Sequence, residues 1–201
     1  INDDEVCREA SKNEIIRRYY TALNQMASGA GNDSEVSKIS LNMNQAKISP
    51  NDRPQIVAAR ERAERSGKAS SAIELGDGTI ITAEQGDLLG PSAALILNAI
   101  KHLAGIDHAV KLIPQDMIEP IQHTKINYLR SRNPRLHTDD VLVALSVLST
   151  TDDQCRRALS FLPELEGCQV HSTVMLGEVD HKIFKKLGVG LTCDPRGRKR
   201  V

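Results

Sequence analysis

The residue pattern predicts an α/β protein: a three-layer α/β/α domain with a mixed sheet, preceded by a helical segment. Three observations carry this. Apolar residues recur at a helical spacing of about 3.6 as far as Gly67 and then switch to the strand spacing of about 2. Gly76-Asp77-Gly78 sits between two short alternating runs, where Asp-Gly tolerates the positive φ of a hairpin turn. After Gly90-Pro91 comes a stretch apolar on more than one face, which needs sheet surface to bury.

The segment 1–67 reads as three helices. Val6, Ala10, Ile16, Tyr19, Leu23 and Met26 form one stripe, and Ser11 with Glu14 has the spacing of a capping box, so a helix start or restart is expected at Ser11. Gly29-Ala30-Gly31 breaks the pattern. Ser34 can cap a second helix whose stripe is Val36, Ile39, Met43 and Ala46, and Pro54 fits the first turn of a third that Gly67 stops.

Residues 68–195 carry the three-layer domain. A hairpin is expected over 72–75 and 79–83, a buried helix over 91–103, and a short strand over 109–113. Helices follow from Pro120 to Leu129, over 139–149 with Thr138 as its cap, and over 152–162. A strand at 168–176, a helix at 179–187 and a last strand at 189–193 complete the order β-β-α-β-α-α-α-β-α-β. This order resembles cytidine-deaminase-like topologies. Residues 196–201 form a basic tail, expected to fray.

Composition removes several functions. Lys plus Arg equals Asp plus Glu at 26 each, and aromatic residues are only 2% with no Trp, so no global basic excess and no base-stacking platform is present for nucleic acid. No apolar run reaches the roughly 20 residues of a membrane helix. The four dispersed cysteines read as reduced thiols of a cytoplasmic protein. A zinc deaminase needs His-x-Glu and Pro-Cys-x-x-Cys; here the corresponding places read Gly90-Pro91-Ser92 and Pro114-Gln115-Asp116-Met117, so no metal is expected. Gly67-Lys68-Ala69-Ser70-Ser71 lacks the earlier glycine of a phosphate loop, and no Gly-x-Ser-x-Gly elbow occurs.

The most polar constellation joins two stretches. Asn133-Pro134-Arg135-Leu136-His137-Thr138-Asp139-Asp140 enters a helix N-terminus, where backbone amides and Arg135 could receive an anion. His171-Ser172-Thr173 lies within an otherwise buried strand. The candidate assignments are His171 and His137 as acid or base, with Asn133, Arg135, Thr138, Ser172 and Thr173 as ligand contacts. The competing account is structural: capping for Thr138 and Asp139, and core hydrogen bonding for His171, Ser172 and Thr173. Asn98 and Lys101 read as a polar spot at a helix's solvent edge, and Arg17 with Arg18 as a solvated face.

The runs Glu14-Ile15-Ile16-Arg17-Arg18-Tyr19-Tyr20, Ala104-Gly105-Ile106-Asp107, Asn133 through Asp139, His171-Ser172-Thr173 and Leu191-Thr192-Cys193-Asp194-Pro195 resemble the C-terminal part of an uncharacterised bacterial family, domain of unknown function 1846. That resemblance implies a larger protein with an N-terminal region bearing a Gly-Ser-Gly-Lys stretch suited to a nucleotide, in keeping with the absent initiator Met. Family members have been labelled ATP-dependent peptidases, though no peptidase constellation is found in these residues. Two readings follow. The chain is an accessory domain that works with its own N-terminal domain and self-associates through its apolar helices, or it supplies half of a site of transferase or hydrolase type for an anionic small molecule through Arg135, His137 and His171.

Overall fold

A computed structural model describes residues 4–195; the basic tail lies outside the described residues. Helices α1 (Asp4–Ala27), α2 (Asp33–Gln45) and α3 (Pro54–Ser66) precede the hairpin of β1 (Ser70–Glu74) and β2 (Ile80–Glu84). Then come α4 (Pro91–Leu103), α5 (Gln115–His123), α6 (Thr138–Leu148), α7 (Asp153–Ser160), β3 (Gln169–Ser172), α8 (Glu178–Lys186) and β4 (Gly190–Cys193).

The four strands form one mixed sheet in the order β2-β1-β3-β4, with β1 antiparallel to both neighbours and β3 parallel to β4. Register pairs Ala72 with His171 and His171 with Thr192, so these three share one face. Strand alternation sends Ser71, Ile73, Val170, Ser172, Leu191 and Cys193 to the other. The second face is apolar. Its Ile73, Val170 and Cys193 join Leu95, Ile96 and Ile100 of α4, Leu145 of α6 and Phe184 of α8 in the main core. The first face is polar, and α1 and α3 cover it with a smaller cluster of Ile16, Tyr20, Met43 and Ile56. Helices therefore flank the sheet on both sides, as the apolar stripes demand.

Five local expectations are revised. α1 runs unbroken through Ser11, whose hydroxyl donates to the Cys7 carbonyl instead of capping, while Glu14 pairs with Arg17 and Arg18. α2 is capped by Asn32, not Ser34. α5 starts ahead of Pro120 and contains it, and a π-helical turn over Thr124–Tyr128 follows. Most consequentially, residues 109–113 form no strand. The Lys101 ammonium donates to the carbonyls of His108 (2.8 Å) and Val110 (3.0 Å), and the Ala109 amide goes to the Asp107 carboxylate. These bonds tie the segment to α4 and to its own turn, away from any strand partner. Lys101 is thereby buried, not at a solvent edge. Gly67 ends α3 with φ of +68°, the left-handed cap that glycine adopts without a Cβ penalty.

Candidate functional site

Two polar clusters hold the candidate residues, one on each side of the sheet. The first is the polar face under α1 and α3. His171 is fully buried there, with its ring 5.0 Å from that of Tyr20. Its Nδ1 lies 2.9 Å from Thr192 Oγ1, and its Nε2 lies 3.5 Å from Asp194 Oδ1, long for a hydrogen bond. The Thr192 hydroxyl donates its single proton to the Val170 carbonyl at 3.2 Å, so a protonated Nδ1 donates to Thr192 Oγ1, and Nε2 has no hydrogen-bond partner among the described residues. Asp194 accepts from Arg60 at 2.6 and 3.2 Å, and Arg60 donates to the Tyr20 hydroxyl at 2.8 Å. Burial pushes the His171 pKa down against the upward pull of Asp194. Burial would raise Asp194, but the nearby His171 ring and the hydrogen bonds from Arg60 outweigh it and hold the carboxyl below its usual range. Burial takes the Tyr20 phenol up to about 12. Further along the same face, Gln55 bridges Arg53 (2.9 and 3.0 Å) and Glu74 (3.1 Å) with its amide turned to suit them, and Arg53 reaches Gln169 at 3.0 Å.

The second cluster surrounds the N-terminus of α6. Asp180, buried in the first turn of α8, accepts from the Thr138 amide (3.1 Å), the Thr138 hydroxyl (3.0 Å) and the His137 ring (3.3 Å). Burial opposes ionisation of Asp180, yet these bonds hold its pKa below the ordinary value. Thr138 is thus bound by a carboxylate from another helix; the cap position itself falls to His137, whose amide donates to Asp140 at 2.8 Å. Lys125 ties Asp140 to the Arg135 carbonyl. Asn133 meets the other ring nitrogen of His137 at 3.3 Å and accepts from the Arg135 amide, while Arg135 Nε donates to the Gly86 carbonyl at 2.7 Å.

The candidate residues therefore divide. Asn133, Arg135, His137 and Thr138 come together around α6, whereas His171 faces α1 and α3 across the sheet from them. Ser172 points to the α6 side and accepts from the Val174 amide, and Thr173 exchanges hydrogen bonds with the Ser70 backbone. The Ser71 hydroxyl, beside Ser172 in register, is buried without a hydrogen-bond partner. Asp180 and Arg60 had no motif to announce them, and Tyr20 and Asp194 lay in runs whose spacing assigns no role, since each acts through contacts distant in the chain. Burial moves the Cys193 thiol up to about 12 and Cys155 up to about 11, so neither is a ready thiolate. Among the described residues, no group of three or more His, Cys, Asp or Glu is placed to hold a metal, and no helix is long and apolar enough to cross a membrane.

Comparison with known families gives two adjacent matches. Residues 51–200 match the model described as domain of unknown function DUF1846, C-terminal, and residues 1–47 match its N-terminal counterpart. The chain belongs to the DUF1846 family. It thus spans parts of both family domains, with α1 and α2 in the N-terminal match, where the resemblance had indicated the C-terminal region. The DUF1846 chain is 51% identical over 195 residues to a UPF0371 protein of Corynebacterium aurimucosum, covering 97% of this chain and 39% of that protein. It is 48% identical to one of Corynebacterium diphtheriae (99% of this chain, 40% of the relative) and 44% identical to one of Streptococcus thermophilus (97% and 40%). The chain spans about two fifths of the length of the curated relatives it matches.

Proposed function

We propose that this chain acts as an accessory domain of a longer bacterial protein, packing against the rest of that polypeptide through the outer surface of α5 and α6. The observation that carries the reading is an apolar stripe left exposed by the described residues. Val143 and Val147, four apart on α6, are 66% and 59% exposed and share a groove of about 530 Å³ with Met117, Pro120, Ile121 and Ala144. Exposed apolar surface gathered in one groove is the mark of a contact site. The relatives supply the occupant, since roughly three fifths of their length lies outside the matched region. The polar candidates support the same reading: each of Asn133, Arg135, His137, Thr138, His171, Ser172 and Thr173 is engaged in bonds that hold the fold together.

The test is Val143→Asp with Val147→Asp in the full-length protein. Losing the burial of two valines is expected to cost about 3 kcal/mol or more and lower the melting temperature by several degrees, with no change in mass by light scattering. An unchanged melting temperature would refute docking at this stripe. A mass that falls by half would identify a second copy, not the rest of the chain, as the occupant.

A further inference from the structure

One edge of the sheet, that of β2, points to a second contact of a different kind. We infer that the outer edge of β2 accepts an extended segment as a fifth strand, supplied by the part of the polypeptide outside this chain. The inference shares with the proposed function the view that the remainder of the protein is the partner, but it rests on separate observations.

The first is the direction of the β2 backbone groups. The Leu75 amide donates to the Thr79 carbonyl and the Gln85 amide to the Ala69 carbonyl. Odd-numbered positions of β2 therefore face β1, and alternation turns the amides and carbonyls of Ile80, Thr82 and Glu84 outward. Among the described residues these outward groups have no backbone partner; the Thr82 carbonyl accepts from the Asn98 side chain at 3.2 Å. An incoming strand would have to take this acceptor from Asn98 or share it, since a carbonyl oxygen has two lone pairs, while the Ile80 and Glu84 groups carry no such side-chain bond among those described.

The second observation is the space beside that edge. A groove of about 990 Å³ lies beside β2, lined among others by Ala94 and Leu97 of α4, Ile118 of α5, and Lys111 and Ile113. The 108–113 segment that joins this lining is tied to α4 by Lys101 through the carbonyls of His108 and Val110. That tether keeps a strand-like sequence from closing the edge itself. Five residues of extended chain span roughly 17 Å, matching β2 in length.

Third, apart from Glu84 at its end, the edge carries no charge, proline or bulge that would keep a strand from pairing. β2 contains no proline and no lysine, and its register with β1 runs from Ser70–Glu84 to Glu74–Ile80 without a bulge. Hydrogen bonds to the outward groups supply the affinity, and apolar side chains at alternate positions of the incoming segment fill the groove.

Residue-resolved hydrogen–deuterium exchange on the full-length protein tests this without any substitution. Ile81 and Ala83, bonded to β1, serve as internal references. The expected result is that Ile80, Thr82 and Glu84 exchange as slowly as these references, about a hundredfold or more below unprotected amides, at every protein concentration. Fast exchange at the three outward positions beside slow exchange at the references would overturn the inference. Protection that fades on dilution would overturn it too, by assigning the edge to a second copy. The paired Val143 and Val147 substitutions separate this inference from the proposed function, because their failure to destabilise the protein would leave the β2 protection pattern intact.

Discussion

His171 shows how a single buried ring ties stability to pH. Its folded pKa is depressed by burial despite Asp194, so the unfolded chain takes up the proton more readily, at about 6.5. The neutral ring's contribution is fully present above that value and is lost as pH falls below it toward the lower folded pKa. The Asp194 carboxylate acts further down: its depressed pKa gives stability above about 3.9 that is lost as pH falls through the folded value. Unfolding free energy from urea titrations should therefore drop as pH falls below about 6.5, with a slope of up to about 1.4 kcal/mol per pH unit from His171. His171→Gln, which removes the titration but can still bond Thr192, should flatten that limb. A slope identical to that of the parent would show that another group is the acid-sensitive one.

At the level of elements, the segment 109–113 separates what pattern reveals from what packing decides. Val110, Leu112 and Ile113 carry the apolar signature of a buried strand, and Leu112 and Ile113 are indeed buried. Whether such a run joins a sheet depends on its carbonyls, and two in this neighbourhood are taken by Lys101 from another element. The hairpin, α3, α4 and β4 were legible because their signals are local: Asp-Gly in a turn, proline in a first helical turn, glycine at a C-cap. The role of Thr138 was not, because the carboxylate that binds it lies 42 residues away on α8. Lys101→Met tests the tether directly. Keeping the apolar stem but removing the donor should cost about 1–3 kcal/mol and speed proteolysis within 106–113 while leaving α4 intact. If cleavage in that loop stayed at the parental rate, its shape would be set by Leu112 and Ile113 alone.

Across the whole molecule, the sheet has one apolar face and one polar face, and the polar face is closed by helices that straddle two family domains. The polar face hid the division of the candidate site: His171 and Ser172 are adjacent in sequence, and strand alternation sends them to opposite layers. It also assigns α1 a structural task, since Tyr20 covers His171, and Asn24 donates to the Cys193 carbonyl at 3.0 Å, joining α1 to β4. A polypeptide covering only 48–201, cut where the two family matches meet, should therefore be less stable than the 1–201 chain. Ile16, Tyr20 and Met43 would be lost from the smaller core, a penalty on the order of 5 kcal/mol. The His171 imidazole, no longer covered by Tyr20, should titrate closer to its ordinary value, which two-dimensional NMR of the ring would follow directly. Equal stability of the two polypeptides, with His171 still shielded from protonation, would mean that α3 and the sheet bury the polar face unaided and that α1 merely rests on it.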